Sequence, residues 1–221
     1  MPLKNSRPAD DSDRFAPSTA LEPWDVLFVA RIRQLARELR PGVILDIGTA
    51  TVVVPVRLAA DPAFKDWRFI GLDLDADMLE GGRPRIESLG LQDAIELKVG
   101  DAQDLPIPDN SVAMAVSRAT LHHLPQKSRS LEEMYRVLQP GGIGLVHDMR
   151  RDAKPELLAK FTRMRAEVGY PPANTEQKVT LQEAHEIVAH AGLAHCASVL
   201  SSSMGLSALG FEILIKKPLH A

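Results

Sequence analysis

The chain has 221 residues, 45% hydrophobic and 25% charged, with a net charge of −3 and a single cysteine, Cys196. That length is most simply one domain, and it buries enough surface to need no disulfide staple. Near-neutral charge without a block of Lys or Arg leaves no phosphate-tracking stripe for nucleic acid. With no long apolar run and no secretory segment, neither a membrane span nor export is expected, and the chain reads as cytoplasmic. No Cys/His cluster has metal-ligand spacing, so no metal is expected, and Cys196 in AHCASVL reads as core filler.

Residues 1–20, MPLKNSRPADDSDRFAPSTA, are rich in Pro, Asp and Ser and show no periodicity. They read as a flexible N-terminal arm, leaving 21–221 as a single domain. From Trp24 to Arg40, Leu27, Ile32, Leu35, Ala36 and Leu39 recur at helical spacing, and Pro41-Gly42 ends that helix. Five short apolar runs follow: VILDI (43–47), WRFIGLD (67–73), AIELKV (94–99), VAMAVS (112–117) and IGLVHD (143–148). Helical stretches separate most of them, including 128–138 with Leu131, Met134, Val137 and Leu138 on one face. Alternating strand and helix requires right-handed crossovers and a parallel sheet covered on both faces, an α/β doubly wound fold.

Residues 155–179 break the rhythm. Leu157, Leu158, Phe161 and Met164 make one amphipathic helix, and Pro-Pro-Ala-Asn after Gly169-Tyr170 separates it from the next. Inserted after the fifth strand, this segment is a candidate lid, or equally a packing helix with a long connection. After a helix at 181–191, the runs 194–201 and 209–216, joined by MGLSALG, form a hairpin-like pair that adds an antiparallel element to the sheet edge.

Ligands of a doubly wound sheet bind outside the carboxyl ends of its strands. Those ends carry Asp46 and Gly48, Asp73, Asp101 and Ala102, Ser117 and Arg118 with His122 and His123 beyond, and His147-Asp148. Unpaired buried acids are costly, so a row of them on one edge points to a polar ligand. One carboxylate at Asp73 can accept both hydroxyls of a ribose, and Asp101 can accept an exocyclic amine while the Ala102 backbone meets the ring. Asp46 suits a cationic moiety. Each also has a local reading, as a loop-ordering, N-cap or turn residue.

On VILDIGTATVVVPVRLA, FIGLDLDADML, VGDAQDLPIPDNSVAMAVSRATLHHL and LEEMYRVLQPGGIGLVHD, the chain resembles the class I S-adenosylmethionine-dependent methyltransferases. The likeness spans about residues 42–148 and is greatest to the small-molecule branch that includes quinone-biosynthesis enzymes. It implies a Rossmann-like, mostly parallel seven-stranded sheet with a C-terminal antiparallel edge hairpin. It also implies S-adenosyl-L-methionine as cofactor, with its amino-acid part at Asp46 and Gly48 and Thr49 in the same loop. The ribose would then lie at Asp73, the adenine near Met78, Asp101 and Ala102, and Ser117 beside the reacting methyl. The expected reaction is in-line methyl transfer to a small molecule.

Where the acceptor must lose a proton, His122, His147 and Asp148 are the candidate catalytic groups, and His123 reads as structural. Arg118 is the candidate substrate residue, or pairs with a nearby acid. His185, His190 and His195 are assigned no chemistry.

The family's first motif has glycine where this chain has Ala50, and often again at Val52. Alanine fits if φ is negative, whereas Val52 must point away from the ligand or fill part of its pocket. Weakened or reshaped cofactor binding is therefore expected. Non-methylating use of the sulfonium (cyclisation or lyase chemistry) and a non-catalytic binding role are the alternatives. A nicotinamide dehydrogenase is disfavoured because its fingerprint glycines are missing near Ala50 and Val53.

Overall fold

A computed structural model describes residues 23–167, 175–201 and 206–219. The 1–20 arm and the Pro-Pro-Ala-Asn loop therefore lie outside the described residues.

Helix α1 (Pro23–Ala36) buries Trp24, Phe28, Ile32 and Leu35, which recur at three- and four-residue spacing. It ends at Ala36, before the expected Arg40, and two turn hydrogen bonds carry the chain to Leu39. The strands are β1 (Val43–Ile47), β2 (Arg68–Asp73), β3 (Ile95–Val99), β4 (Val112–Arg118) and β5 (Leu138–Met149). Between and after them run α2 (Val53–Ala59), α3 (Ala76–Ser88), α4 (Lys127–Val137), α5 (Pro155–Glu167) and α6 (Leu181–His190). The chain closes with β6 (Ala197–Leu200) and β7 (Gly210–Lys216).

One seven-stranded sheet results, in the order β3-β2-β1-β4-β5-β7-β6. The first five strands pair in parallel, while β7 runs antiparallel to both β5 and β6. The C-terminal hairpin is thus at the edge as expected, with its last strand inserted next to β5 and β6 outermost. The phrase LQPGG is absorbed into β5 as an irregularity. Val112 pairs with Leu138, but Met114 pairs with Ile143, and Gly141 at φ +78° absorbs the extra residues.

Two apolar layers cover the sheet. Leu131, Met134 and Val137 of α4 and Val188 of α6 pack on one face with Val146, Phe211 and Ile213. Phe28 and Ile32 of α1, Leu58 of α2 and Ile86 of α3 pack on the other with Met114 and Leu145. Among the described residues no helix is long and apolar enough to cross a membrane.

The contact between α2 and α3 depends on one complementary pair. Val52, fully buried at the start of α2, fills the space over Gly82 of α3; a Cβ on Gly82 would meet Val52 Cγ2 at 2.1 Å. Gly82→Ala is expected to destabilise the fold by about 1–3 kcal/mol through overpacking. Adding Val52→Ala should recover most of that loss, leaving a residue because the Thr51 carbonyl also lies 3.2 Å away. Strictly additive losses in chemical denaturation would show that the two side chains do not share this space.

Candidate functional site

β1 lies between β2 and β4, and at its carboxyl end the chain enters the loop Gly48–Val52. Gly48 has φ +73°, and a Cβ there would strike Thr120 Oγ1 at 2.2 Å, so both conformation and space require glycine. The N–H groups of Gly48 and Thr49 donate to the Leu72 carbonyl at 2.8 and 3.0 Å, tying the loop to β2. Asp73, at the end of β2, accepts from Ala50 N–H at 2.9 Å through one oxygen and from Asp75 N–H at 3.0 Å through the other. The carboxylate therefore orders both loops, and each oxygen retains a further acceptor direction.

Ala50 has φ +48° and Val52 φ +63°. The expected condition of a negative φ at Ala50 is not met: the loop follows a left-handed path that glycine would take without strain, at a cost of about 1–2 kcal/mol per residue. Val52 resolves its own alternative by pointing into the core, away from the loop's open side.

Asp46 is 4% exposed and accepts from Thr49 Oγ1 at 2.7 Å. Burial raises its pKa to about 7, against the opposing effects of the Thr49 hydrogen bond and the Arg118 charge. A buried carboxylate in this state gains from a cation brought to it, and S-adenosylmethionine carries both an ammonium and a sulfonium. The residues present thus fit that group. Ser117 is buried on β4 and donates its hydroxyl to the Ile47 carbonyl at 2.9 Å, bracing β1 against β4. Met78 is half-buried on α3.

At the end of β3, Asp101 accepts from the backbone and side-chain N–H groups of Gln103 at 2.9 and 3.1 Å, a turn that presents buried Ala102. Two residues that the sequence did not single out pin this loop. Glu133 of α4, 2% exposed, accepts from Leu105 N–H, while Arg136 donates to the carbonyls of Leu105 and Ile107. Hydrogen bonding from Arg136 holds the Glu133 carboxyl below its ordinary range although burial opposes it. On a helix face otherwise read by its apolar residues, nothing distinguishes these two from solvated charges.

The candidate catalytic residues divide between the two faces of β5. Successive strand residues point opposite ways. His147 goes toward α1, its ring 5.0 Å from Trp24 and 6.0 Å from Phe28. Burial, then the Arg118 charge, lower it to about 4, so it is neutral at pH 7. Arg118 pairs with Asp25 of α1 at 2.5 Å, the acid pairing that the sequence left open.

Asp148, with no exposure, turns to the opposite face and meets His122. The His122 backbone N–H and Nδ1 lie 3.0 and 2.8 Å from Asp148 Oδ2. Lys178 Nζ lies beside the ring, 2.5 Å from His122 Nε2 and 3.4 Å from Nδ1. His122 is therefore the buried histidine, and His123, expected to be the structural one, is exposed with its ring 3.8 Å away. Lys178 was missed because its partners are 56 and 30 positions distant; only its place just before the Thr180 cap of α6 was visible.

Residues 45–146 match the family described as a methyltransferase domain. The chain is 38% identical over 122 residues to a demethylmenaquinone methyltransferase of Symbiobacterium thermophilum, covering 55% of this chain and 46% of that protein. It is 38% identical over 120 residues to a ubiquinone/menaquinone biosynthesis C-methyltransferase of Bordetella avium, covering 53% and 45%. The chain thus spans about half the length of these curated relatives. In fold it resembles the crystal structure of an S-adenosylmethionine-dependent methyltransferase from Aquifex aeolicus, with a TM-score of 0.66, 19% identity and 88% and 93% of the two chains covered.

Two outcomes follow from the loop. Ala50→Gly should stabilise the protein by about 1 kcal/mol, seen as a rise of roughly 2–4 °C in Tm. Asp46 favours the protonated state on folding, so its stability contribution is complete below pH 3.8 and is lost as pH rises through about 7. The ligand-free protein should therefore lose on the order of a few kcal/mol between mildly acidic and mildly alkaline pH. Asp46→Asn should flatten that slope in urea unfolding series.

Proposed function

We propose that the protein is a class I S-adenosylmethionine-dependent methyltransferase acting on a small molecule, a reading supported by the match of residues 45–146 to a methyltransferase domain and by the likeness to the curated quinone methyltransferases. The observation that carries the reading is the sequence of carboxylates at three adjacent strand ends, Asp46, Asp73 and Asp101, around a glycine held at positive φ. In this reading Asp46, Gly48 and Thr49 hold the amino-acid end of the cofactor. Asp73 accepts from the ribose, and Met78, Asp101 and Ala102 border the adenine. When bound, the cofactor supplies a methyl carbon made electrophilic by its sulfonium.

The chain's own residues would then align the acceptor and manage its proton. Ser117 stands at the junction of β1 and β4, beside the reacting methyl in this reading. Arg118 and neutral His147 border the acceptor on the α1 side, and His122 with Asp148 lies on the other. Helix α5 buries Phe161 against Trp24 and Leu209, and we assign this helix the covering of the acceptor. The names of the relatives make a demethylated quinone the first acceptor to try.

Calorimetric titration with S-adenosylmethionine tests the reading. Because a bound cation favours ionised Asp46, affinity should rise as pH increases from about 6 to about 8, with release of a proton on binding at the lower pH. Asp46→Asn should bind weakly and lose most of the pH dependence. Failure of the unaltered protein to bind the cofactor at either pH would sink the proposal.

A further inference from the structure

Strand β3 forms one edge of the sheet, and its bonds to β2 show which of its backbone groups face outward. Phe69 N–H donates to the Ala94 carbonyl at 2.9 Å, and Gly100 N–H donates to the Asp73 carbonyl at 2.9 Å. In a parallel pair this phase turns the amide groups of Glu96 and Lys98 toward β2 and those of Ile95, Leu97 and Val99 away from it. Ile95 N–H is taken by the Leu91 carbonyl at 3.0 Å. Among the described residues no other strand pairs with this edge.

The side chains along the edge have a two-fold order. Ile95, Leu97 and Val99 share the face covered by α3. There Ile86, Ile95 and Leu97 line a recess together with Arg83, Glu87 and Gln92. Val99, farther along the same edge, is 57% exposed. Glu96 and Lys98 lie on the opposite face and pair with each other at 3.0 Å. Charged side chains on an edge strand ordinarily discourage pairing. In Ile95-Glu96-Leu97-Lys98-Val99, however, a two-fold axis through Leu97 turns the segment onto itself with each charge meeting its opposite.

We propose that β3 pairs with β3 of a second copy of this chain, antiparallel and centred on Leu97, so that the two sheets become one. Leu97 exchanges two hydrogen bonds with its counterpart, and Val99 N–H of each copy donates to the Ile95 carbonyl of the other. The ladder ends there, because the Leu91 turn already holds Ile95 N–H. Glu96 of each copy stands directly opposite Lys98 of the other, and opposite charges in that position attract. Registers centred on Glu96 or on Lys98 set like charges opposite each other instead. Val99 comes opposite Ile95, beside the recess at α3, and loses its exposure. Because the pairing is antiparallel, the carboxyl edges of the two sheets open in opposite directions, and neither crevice is covered. A five-residue edge buries less than the ~1,200 Å² of a standard interface, so the dimer is a weak one, with Kd on the order of 100 µM.

Sedimentation equilibrium from about 1 to about 500 µM protein tests the pairing, and the unaltered protein should pass from monomer to dimer across that range. Lys98→Glu and Glu96→Lys each set like charges opposite each other at both positions, and each should raise Kd at least about tenfold. An equimolar mixture of these two variants restores opposite charges across the strands and should dimerise as the unaltered protein does. A protein that stays monomeric throughout, a dimer that neither variant weakens, or a mixture no more associated than its components overturns the proposal. Should a variant not fold, hydrogen exchange in the unaltered protein decides. The Leu97 and Val99 amides must gain protection as concentration rises, and if their exchange is unchanged the proposal is wrong.

Discussion

Side by side at the centre of the sheet, β1 and β4 send the chain in opposite directions, β1 toward β2 and β4 toward β5. The loops therefore diverge, and a crevice opens at the carboxyl ends of these two strands. Every residue of chemical interest is placed by that divergence. Gly48 and Thr120 meet across it, Ser117 ties its floor by donating to Ile47, and Asp46 sits below it. On one side of it stand Asp73 and Asp101; on the other stand Arg118, His122, His147 and Asp148.

Holding the crevice open is costly, and the cost is concentrated there. Three of the four non-glycine residues with positive φ among the described residues, Ala50, Val52 and Ala119, belong to the loops that leave β1 and β4. Such strain persists only where the surroundings overdetermine it. Here the Asp73 carboxylate grips Ala50 N–H, and the core closes over the Val52 side chain opposite Gly82. A chain without glycine at these positions can in this way retain the path that glycine would permit. The loop is consequently stiffer than a glycine-rich one, because the same contacts that compensate the strain also restrict its motion.

Electrostatics differ on the two halves of the edge. On the β1–β3 half, Asp46 is buried with a hydroxyl as its hydrogen-bond partner, and burial raises its pKa to about 7. On the other half, charges are already compensated, Arg118 by Asp25 and Asp148 by His122 and Lys178. Burial pushes Asp148 up, yet the His122 hydrogen bonds and the Lys178 charge hold it below its ordinary range. One half holds a buried carboxylate without a cation beside it in hydrogen-bond contact, and the other has its charges paired within the fold.

Much of this was legible in the linear chain. Five apolar runs separated by helical periodicity determine a doubly wound sheet, since a parallel strand pair needs a crossover. The acids at the ends of the first three runs mark the carboxyl edge of the sheet, and Gly48 marks the turn. What the linear order could not decide were relations across the fold. Strand alternation says that His147 and Asp148 face opposite ways, but only the packing of α1 on one face and α4 and α6 on the other says what each meets. The handedness of Ala50 and Val52 follows from where the Asp73 carboxylate and Gly82 wait for them. Lys178 is a partner of His122 only because the chain around Val179 lies beside the end of β5, bridged to Arg150. Periodicity records how a residue relates to its near neighbours in the chain. A hydrogen bond across 56 residues is set by the summed geometry of everything between them.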